Sequence, residues 1–305
     1  MKASFMQSDI WAEFKEKNGW NVHKVKGLYV YEHSLPLSRN FLYLPEISID
    51  DETFPATVAI AQGALSSTKN IYTIFGRAEL LEPFNESKDQ KIVEAGFVKS
   101  NDEVQPAYRH VINLGDSYKE VVNQYKSKCR YKIRVAERHG VVIDEDNTTE
   151  AISEFNEINA DTAKRKGFSG RNARYIIELV KTLDKHKIGG LWVARYRAKI
   201  VAGAVIIFYA GRASYLYGAS SDENREVMAT RLLHDKMIKE SIRRKCSQYD
   251  FIGVAPEDAP MSHPWAGISA FKRDFGGTTV HYLGSYDRVY QGLWYKAYKT
   301  LRKSN

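Results

Sequence analysis

The chain of 305 residues has few cysteines and no long apolar run. Cys129 and Cys246 both lie in basic amphipathic segments without CxxC spacing, so neither a disulfide framework nor a zinc site is supported. No stretch reaches the apolar length of a signal sequence or a membrane span. We therefore expect a cytoplasmic monomer without a metal or an integral membrane segment, and leave peripheral membrane contact open.

The composition indicates a folded protein with an anionic partner. Apolar residues make up 43% and charged residues 27% of the chain, a balance typical of globular proteins. Forty-five lysines and arginines against 37 acidic residues leave a formal charge of +8. This charge favours RNA, a nucleotide or an acidic lipid head group as partner. The length predicts about two domains.

The first third of the chain alternates strands and helices. Short β-branched and aromatic runs predict strands at residues 21–32, 41–44 and 71–81. An alanine-rich segment at 56–65 and a pattern that ends before Gly96 predict two helices. This order is typical of an α/β unit.

A second α/β domain is predicted after Pro106. A strand at 110–114 precedes a long helix, and helices follow at 149–164 and around Tyr175. The loop 166–170 between them is a candidate wall of the site. The later part of the chain predicts an antiparallel meander at 191–197, 201–209 and 213–218, a helix, a strand around Phe251, a last strand at 279–283 and a basic aromatic tail. A meander, a helix and a strand that ends in a splayed loop are the order of a GNAT-type acyltransferase fold.

A cationic stripe lies on the long helix, opposite an apolar face of Val122, Tyr125, Cys129, Ile133 and Ala136. It consists of Lys126, Arg130, Arg134 and Arg138, which recur every four residues. The stripe could follow a phosphate backbone, or it could be a solvated helix face. Four neighbouring cations repel one another and require a counter-charge.

The segment 265–277 is the candidate centre of the chemistry. It surrounds Lys272 with Phe271 and Phe275, and a lysine in a dry pocket can stabilise an oxyanion. In the alternative interpretation, Lys272 and Arg273 are surface cations at a helix start and both phenylalanines belong to the core. Spacing alone does not decide between these.

The turn at 220–230 argues against an ordinary acetyl-CoA enzyme. In CoA-dependent GNAT members a glycine-rich turn at this point lets backbone amides hold the pyrophosphate. Here the turn contains no glycine and includes acidic residues. An acyl donor must therefore be bound in another way.

Three sets of residues resemble the Fem family of aminoacyl-tRNA-dependent peptidyltransferases. They are Tyr215-Leu216-Tyr217-Gly218-Ala219-Ser220-Ser221, Tyr249-Asp250-Phe251-Ile252-Gly253, and Gly267 through Phe271-Lys272 to Phe275-Gly276-Gly277. The resemblance is strongest over 111–287 and weakest before Pro106. The segment between Thr149 and Arg171 is too short for a coiled-coil arm, so the chain is most similar to the compact FemX type.

The resemblance implies two GNAT-like domains with mixed sheets, residues 1–105 with 284–305 and residues 106–283, the C-terminal tail returning to the first. It also implies transfer of an amino acid from aminoacyl-tRNA to an amine of a peptidoglycan stem peptide, with no cofactor. The acceptor is a UDP-MurNAc-peptide or lipid II, and the compact type modestly favours the nucleotide-linked form. A CoA-dependent GNAT N-acyltransferase and a non-catalytic RNA-binding protein remain as alternatives.

Site residues follow from the same resemblance. The oxyanion-stabilising pair falls on Phe271 and Lys272, and substrate-binding positions fall on Lys15, Arg171, Tyr175, Tyr217 and, across a departure from the pattern, Glu79. As alternatives, Tyr217 could be core, Arg171 could cap a helix or pair with an acid, and Lys15 could be solvated. Lys15 and Arg171 are expected to clamp a diphosphate.

Overall fold

A computed structural model describes residues 4–47, 54–166 and 170–303. The chain divides into two compact units. Unit 1 comprises Met1–Ala107 and His281–Asn305, and unit 2 comprises Tyr108–Val280. Each unit contains helices packed on a mixed sheet, so the predicted α/β class is confirmed.

The elements follow in chain order, beginning in unit 1. Its first helices and strands are α1 (Asp9–Lys17), β1 (Asn21–Val25), β2 (Leu28–Leu35), β3 (Arg39–Ile47), α2 (Phe54–Thr68), β4 (Thr73–Pro83), α3 (Glu86–Glu94) and β5 (Val98–Lys99). Unit 2 adds β6 (Tyr108–Asn113), α4 (Tyr118–Asn123), α5 (Ser127–Arg138), β7 (Val142–Glu145), α6 (Thr149–Lys166), α7 (Ala173–Lys185), β8 (Gly189–Tyr196), β9 (Lys199–Tyr209), β10 (Arg212–Ser220), α8 (Ala229–Arg243), β11 (Gln248–Gly253) and α9 (Ala266–Arg273). The chain ends with β12 (Thr278–Val289) and α10 (Gly292–Lys303).

The sheet of unit 1 has the order β1-β2-β3-β4-β12, with β5 paired to β12. Strands β3 and β4 are parallel, and the other pairs are antiparallel. The C-terminal tail returns to this unit as predicted. Tyr295 and Tyr298 of α10 pack against Phe75 with ring centroids 5.3 and 4.9 Å away, and Lys299 pairs with Asp102 at 3.1 Å.

The sheet of unit 2 has the order β6-β11-β10-β9-β8-β7, which includes the predicted meander β8-β9-β10. Strands β10 and β11 are parallel and pair only from Arg212 to Ser214 against Gln248 to Asp250. Beyond this short pairing the two strands have no ladder between them. Parallel strands that part in this way open a gap in the sheet, and the candidate site borders it.

The two faces of this sheet are covered by different helices. One core contains Cys129 of α5, Met237 of α8 and Ile206 of β9. On the other face the Phe155 ring of α6 lies directly over Gly203 of β9. Because neighbouring residues of a strand point to opposite faces, this assigns the even-numbered residues 202–208 of β9 to α5 and α8 and the odd-numbered residues 203–207 to α6.

The prediction of a single long helix that carries the cationic stripe is wrong. The structure has α4 and α5 in its place, separated at Gln124 to Lys126. The Lys126 backbone N–H donates to the Asp274 carbonyl at 2.9 Å, outside any helix. This contact makes Lys126 the residue that precedes α5 and removes it from the helical stripe.

Candidate functional site

Lys272 lies in the last turn of α9 and is only 6% exposed. Its Nζ donates to the Phe251 carbonyl at 2.7 Å and to the Gly253 carbonyl at 2.6 Å, both on β11. The alternative of a surface cation at a helix start is therefore wrong. An ammonium has three N–H groups, so among the described residues one N–H of Lys272 is left for a ligand.

The two carbonyls reach Lys272 because β11 bends at Ile252. Ile252 has a φ of 59°, in the left-handed region that β-branched residues rarely enter. The pairing of β11 with β6 shifts register between Asp250 and Gly253. The bend takes the Phe251 and Gly253 carbonyls out of regular pairing with β6. Both carbonyls then face the Lys272 side chain.

Asp250 holds this bend. Its Oδ1 accepts the Ile252 N–H at 2.6 Å, and its Oδ2 lies 3.2 Å from Arg109 Nη1 and 3.8 Å from Arg212 Nη1. Asp250 is fully buried and Arg109 is 2% exposed. A buried carboxylate needs such partners, so the ion pair and the bend stabilise each other.

Burial lowers the pKa of Lys272 to about 8, while the charge of Asp250 opposes this shift and that of Arg109 adds to it. The ordinary value for lysine is 10.5. At neutral pH the side chain still carries its proton. The deprotonated fraction grows as the pH rises through 8.

An aromatic cluster surrounds His234 of α8 beside the lysine. The His234 ring lies 4.6 Å from Tyr215, 4.9 Å from Phe251 and 5.4 Å from Phe271, between centroids. Its Nδ1 is 2.8 Å from the Tyr249 hydroxyl. Burial, with the charges of Lys272 and Arg231, lowers the pKa of His234 to about 3, so this imidazole is neutral at neutral pH.

Phe271 and Tyr215 complete the packing around this cluster. The Phe271 ring lies 5.6 Å from that of Phe275, and the Arg231 guanidinium is 5.0 Å from the Phe271 centroid. The Tyr215 ring is 5.8 Å from Lys272 Nζ, and burial raises the pKa of its hydroxyl to about 12. Phe271 thus contributes a wall of the lysine site, and its predicted part in catalysis stays a prediction.

The Gly276-Gly277 pair fixes where the segment after α9 runs. Both residues have positive φ, 73° and 80°. A Cβ on Gly276 would come within 2.6 Å of the Gln124 backbone, and one on Gly277 within 2.4 Å of the Val111 carbonyl. Only glycine combines this conformation with such close backbone approach.

Three predicted substrate residues come together on the other face of the sheet. The Arg171 guanidinium is 5.3 Å from the Tyr175 ring, which lies perpendicular to the Tyr217 ring at 6.4 Å. Arg171 precedes α7, where Asn172 caps the helix by accepting the Tyr175 N–H at 2.8 Å. Burial raises the pKa of Tyr175. Arg171 therefore does not cap this helix itself.

A bulge in β10 explains how Tyr217 reaches this face. Tyr215 pairs with Ile206 but Tyr217 pairs with Val205, so one extra residue separates the two tyrosines. Without the bulge both would point to the same face. With it, Tyr215 packs on His234 and Tyr217 on Tyr175. The strand that carries both tyrosines borders the gap, and so do the carbonyls that bind Lys272.

The remaining predicted substrate residues lie in unit 1. Lys15 is half-buried, with Nζ 4.9 Å from the Trp11 ring centroid and 4.3 Å from that of Trp20, so it is not simply solvated. Its pairing with Arg171 of unit 2 stays a prediction. Residues 167–169 of the predicted site wall lie outside the described residues, as does the side chain of Lys166.

Glu79 is 3% exposed, and burial raises its pKa. It accepts hydrogen bonds from the Tyr43 hydroxyl, from the Val104 and Gln105 N–H groups at 2.8 and 3.0 Å, and from the Ser285 hydroxyl at 3.0 Å. These bonds join β3, β4, β12 and the 104–105 loop. They give Glu79 a structural role in unit 1, and its predicted contact with substrate stays a prediction.

The cationic stripe is shorter than predicted. Arg134 and Arg138 are exposed on α5, whereas Arg130 is half-buried and donates to the Tyr125 carbonyl. Asp274 pairs with Lys126 Nζ at 3.8 Å, and with Lys128 Nζ at 2.9 Å and Arg231 Nη2 at 3.1 Å, which are not members of the stripe. The two outer arginines are therefore the members most available to a phosphate.

The turn before α8 differs from a pyrophosphate loop in charge and in contacts. Asp222 pairs with Arg165 at 2.6 Å and with Arg225. Asn224 and Met228 have left-handed φ values of 57° and 56°, and no side chain caps the helix. This turn thus carries an acidic residue bound to two arginines, where a pyrophosphate loop carries glycines.

The described residues contain neither a metal-ion cluster nor a membrane-spanning helix. No group of three or more His, Cys, Asp or Glu side chains within 4–47, 54–166 and 170–303 could hold a metal ion. Over the same ranges, no helix combines the length and the apolar content needed to cross a membrane.

The meander of unit 2, the helix after it and the parted strand pair follow the element order predicted for a GNAT-type fold. A family model described as the FemAB family matches residues 95–194 and 191–303, more than half of the chain. The chain belongs to the FemAB family. The resemblance on the β10, β11 and 267–277 motifs is thereby confirmed.

Two curated relatives are transferases. The lipid II:glycine glycyltransferase of Staphylococcus aureus (strain bovine RF122 / ET3-1) is 22% identical over 256 residues, which cover 62% of this chain and 60% of that protein. The UDP-N-acetylmuramoylpentapeptide-lysine N(6)-alanyltransferase of Weissella viridescens is 23% identical over 206 residues, 67% of this chain and 58% of that protein. The chain thus spans less than two thirds of the length of either relative.

Solved structures share the fold. The crystal structure of FemX superposes with a TM-score of 0.82 at 19% identity and covers 97% of this chain and 94% of its own. The C-terminal domain of a putative lysylphosphatidylglycerol synthetase from Agrobacterium fabrum has a TM-score of 0.60 at 14% identity, covering 93% and 89%. The predicted FemX-like fold is therefore confirmed.

Sequence reasoning missed the residues that support Lys272. Asp250 and Ile252 were read only as part of a family motif, and Arg109 and His234 were not singled out. A usable signal was present, because Asp250 is a charged residue inside the apolar strand Tyr249-Asp250-Phe251-Ile252. A buried acid in such a strand requires a cationic partner.

The support of Lys272 by Asp250 can be tested without any activity assay. Asp250→Asn keeps an oxygen to accept the Ile252 N–H but removes the charge that raises the pKa of Lys272. We expect Lys272 to titrate below its present pKa of about 8, and the weakened buried ion pair to cost about 3 kcal/mol of unfolding free energy. An amine-reactive acylating reagent modifies only the deprotonated lysine. The pH dependence of Lys272 modification, measured by mass spectrometry, therefore gives the pKa.

Ile252→Gly is the matched control for this titration. Glycine adopts the left-handed conformation readily, so the bend and the pKa of Lys272 should both persist. An unchanged titration in Asp250→Asn, or a lowered pKa in Ile252→Gly, would contradict the role given to Asp250.

Proposed function

We propose that the protein transfers an amino acid from an aminoacyl ester, carried by aminoacyl-tRNA, to an amine of a peptidoglycan precursor. The observation that carries the proposal is the buried ammonium of Lys272, fixed by two β11 carbonyls with one N–H left for a ligand. Membership of the FemAB family and the transferases among its relatives support the same reaction class.

The chemistry needs little more than positioning and charge stabilisation. The acceptor amine attacks the ester carbonyl, a C–N bond forms, and negative charge develops on the carbonyl oxygen. Lys272 donates its remaining N–H to that oxygen. The intermediate then collapses to the amide as the C–O bond to the ribose breaks. The amine gives up one proton, and the ribose oxygen takes up one proton and leaves as a hydroxyl. An ester is already activated, so orientation and one oxyanion donor supply much of the acceleration.

Arg171, Tyr175 and Tyr217 are proposed to bind the acceptor. They form a contiguous basic and aromatic surface on the α7 face. Arginine binds phosphate or carboxylate groups through a planar pair of N–H donors. Both a UDP-linked peptide and lipid II carry a diphosphate, so this surface fits either acceptor.

The two alternative functions receive less support. A non-catalytic RNA-binding protein has no use for a buried lysine whose ammonium donates to two backbone carbonyls at 2.7 and 2.6 Å. A CoA-dependent acyltransferase would hold a pyrophosphate at the turn before α8, but here that turn has no glycine and contains Asp222, which is paired with Arg165 and Arg225. Aminoacyl transfer uses the lysine and does not require a pyrophosphate-binding loop before α8.

Lys272→Met tests the proposed oxyanion donor. Methionine preserves most of the packing but cannot donate, so single-turnover transfer from charged tRNA should fall about 100-fold. Acceptor binding, measured by calorimetry, should change little. A rate within twofold of the wild type in the same single-turnover assay would remove Lys272 from the mechanism.

Arg171→Ala tests the acceptor site. Loss of a charge-assisted hydrogen bond should raise the acceptor dissociation constant at least tenfold, with turnover at saturation nearly unchanged. Arg174→Ala is the control, since Arg174 is an exposed arginine three residues further along, in the first turn of α7. Equal effects of the two variants, or an equal loss with an acceptor peptide that lacks phosphates, would exclude the proposed contact.

Arg134→Glu combined with Arg138→Glu tests the proposed tRNA surface. Each lost phosphate contact should reduce the slope of log affinity against log salt by about 0.7–0.9, and tRNA binding should weaken. Lys181→Glu, at an exposed position of α7, is the control. If filter binding gives the same slope for the double variant and the wild type, the two arginines are only solvated.

A further inference from the structure

Three segments of unit 1 meet around Arg39. Its Nη1 lies 3.2 Å from Gln291 Oε1, and its guanidinium is 4.4 Å from the Trp294 ring centroid and 6.0 Å from that of Tyr72. Gln291 Nε2 donates to the Ile71 carbonyl at 2.8 Å. The β2–β3 turn, the α2–β4 loop and the start of α10 therefore form one continuous surface, named here the Arg39 surface.

Large aliphatic side chains project from this surface into solvent. Leu37 is 76% exposed, Ile71 is 78% exposed and Leu293 is 86% exposed. Leu293, Ala297 and Leu301 recur every four residues and so share one outward stripe of α10, where Leu301 is 70% exposed. Contiguous apolar exposure of this kind indicates an interaction site.

The turn that carries Leu37 is unfavourable for leucine. Leu37 and Ser38 have φ values of 58° and 54°, and the Arg39 N–H donates to the Pro36 carbonyl at 3.3 Å. A two-residue turn with both φ values positive prefers Asn, Asp or Gly. Neither backbone preference nor burial accounts for a leucine here. Contact with an apolar partner would account for it.

The charge of the Arg39 surface has one sign. Residues 33–45, 54–78 and 288–303 contain no aspartate or glutamate. They do contain the half-buried Arg39 and the exposed cations Lys69, Lys296 and Arg302. Aliphatic tips beside exposed cations match a bilayer with anionic head groups, which offers apolar depth and negative charge together.

We propose that the Arg39 surface docks unit 1 on an anionic membrane. Leu37, Ile71 and Leu293 enter the acyl boundary, and the neighbouring cations contact the head groups. Trp294 and Tyr72 lie beside Arg39 on the same surface, and tryptophan and tyrosine are the side chains enriched at membrane–water interfaces. The most exposed side chains of this surface are aliphatic and give nucleobases no ring face to stack on, and the Trp294 ring already faces the Arg39 guanidinium at 4.4 Å, so a bilayer fits this surface better than RNA does. The docking is independent of the reaction proposed for unit 2.

Flotation of the full chain with vesicles tests this surface. Vesicles of equal parts phosphatidylglycerol and phosphatidylcholine should bind the wild type, and added salt or pure phosphatidylcholine should weaken binding. The combined change Leu37→Asn, Ile71→Ser and Leu293→Ser should lower the partition coefficient at least tenfold. Met261→Ser is the control, since Met261 is 90% exposed in unit 2.

Leu37→Asn alone separates docking from folding. Asparagine suits the turn, so this variant should melt at an equal or higher temperature and yet bind vesicles more weakly. Transfer to a soluble acceptor should be unchanged in all these variants, so loss of vesicle binding is distinguishable from failure of the proposed reaction. Equal vesicle binding by the triple variant and the wild type would overturn the proposal. So would a triple variant that loses only tRNA binding, which would assign the surface to RNA.

Discussion

The site depends on one interaction, the binding of the Lys272 ammonium by two carbonyls of a bent strand. A lysine confined in this way has lost most of its rotamer freedom before a substrate arrives, which is the preorganisation that oxyanion stabilisation requires. The bend at Ile252, the buried Asp250–Arg109 pair and the gap between β10 and β11 all serve this contact. The burial that this contact requires also lowers the pKa of Lys272 to about 8.

Much of the element order could be predicted from sequence, because periodicity determines most of the elements. The family motif marks Lys272 as a candidate, and its catalytic role stays a prediction. The break between α4 and α5 could not be predicted. It depends on a hydrogen bond from Lys126 to Asp274, which are far apart in the chain. The bulge between Tyr215 and Tyr217 also escaped prediction, since strict alternation puts both side chains on one face. In both cases a tertiary contact overrides a local period.

Two groups of exposed cations, one in each unit, lie in different surroundings. In unit 2, Arg134 and Arg138 lie on a helix whose N-terminal cations are already balanced by the buried Asp274. In unit 1, the cations near Arg39 lie among exposed aliphatic side chains. Net charge alone could not separate these. The apolar context distinguishes the surface proposed to bind tRNA from the surface proposed to bind lipid.

The central claim is that the Lys272 ammonium, in its protonated form, stabilises the oxyanion. The most direct test compares two curves for the wild type, the pH dependence of single-turnover transfer and the titration of Lys272 itself by chemical modification. The account predicts that the rate declines above a pKa near 8 and that this pKa coincides with that of Lys272. A rate that stays constant or rises through the range in which Lys272 loses its proton would contradict it.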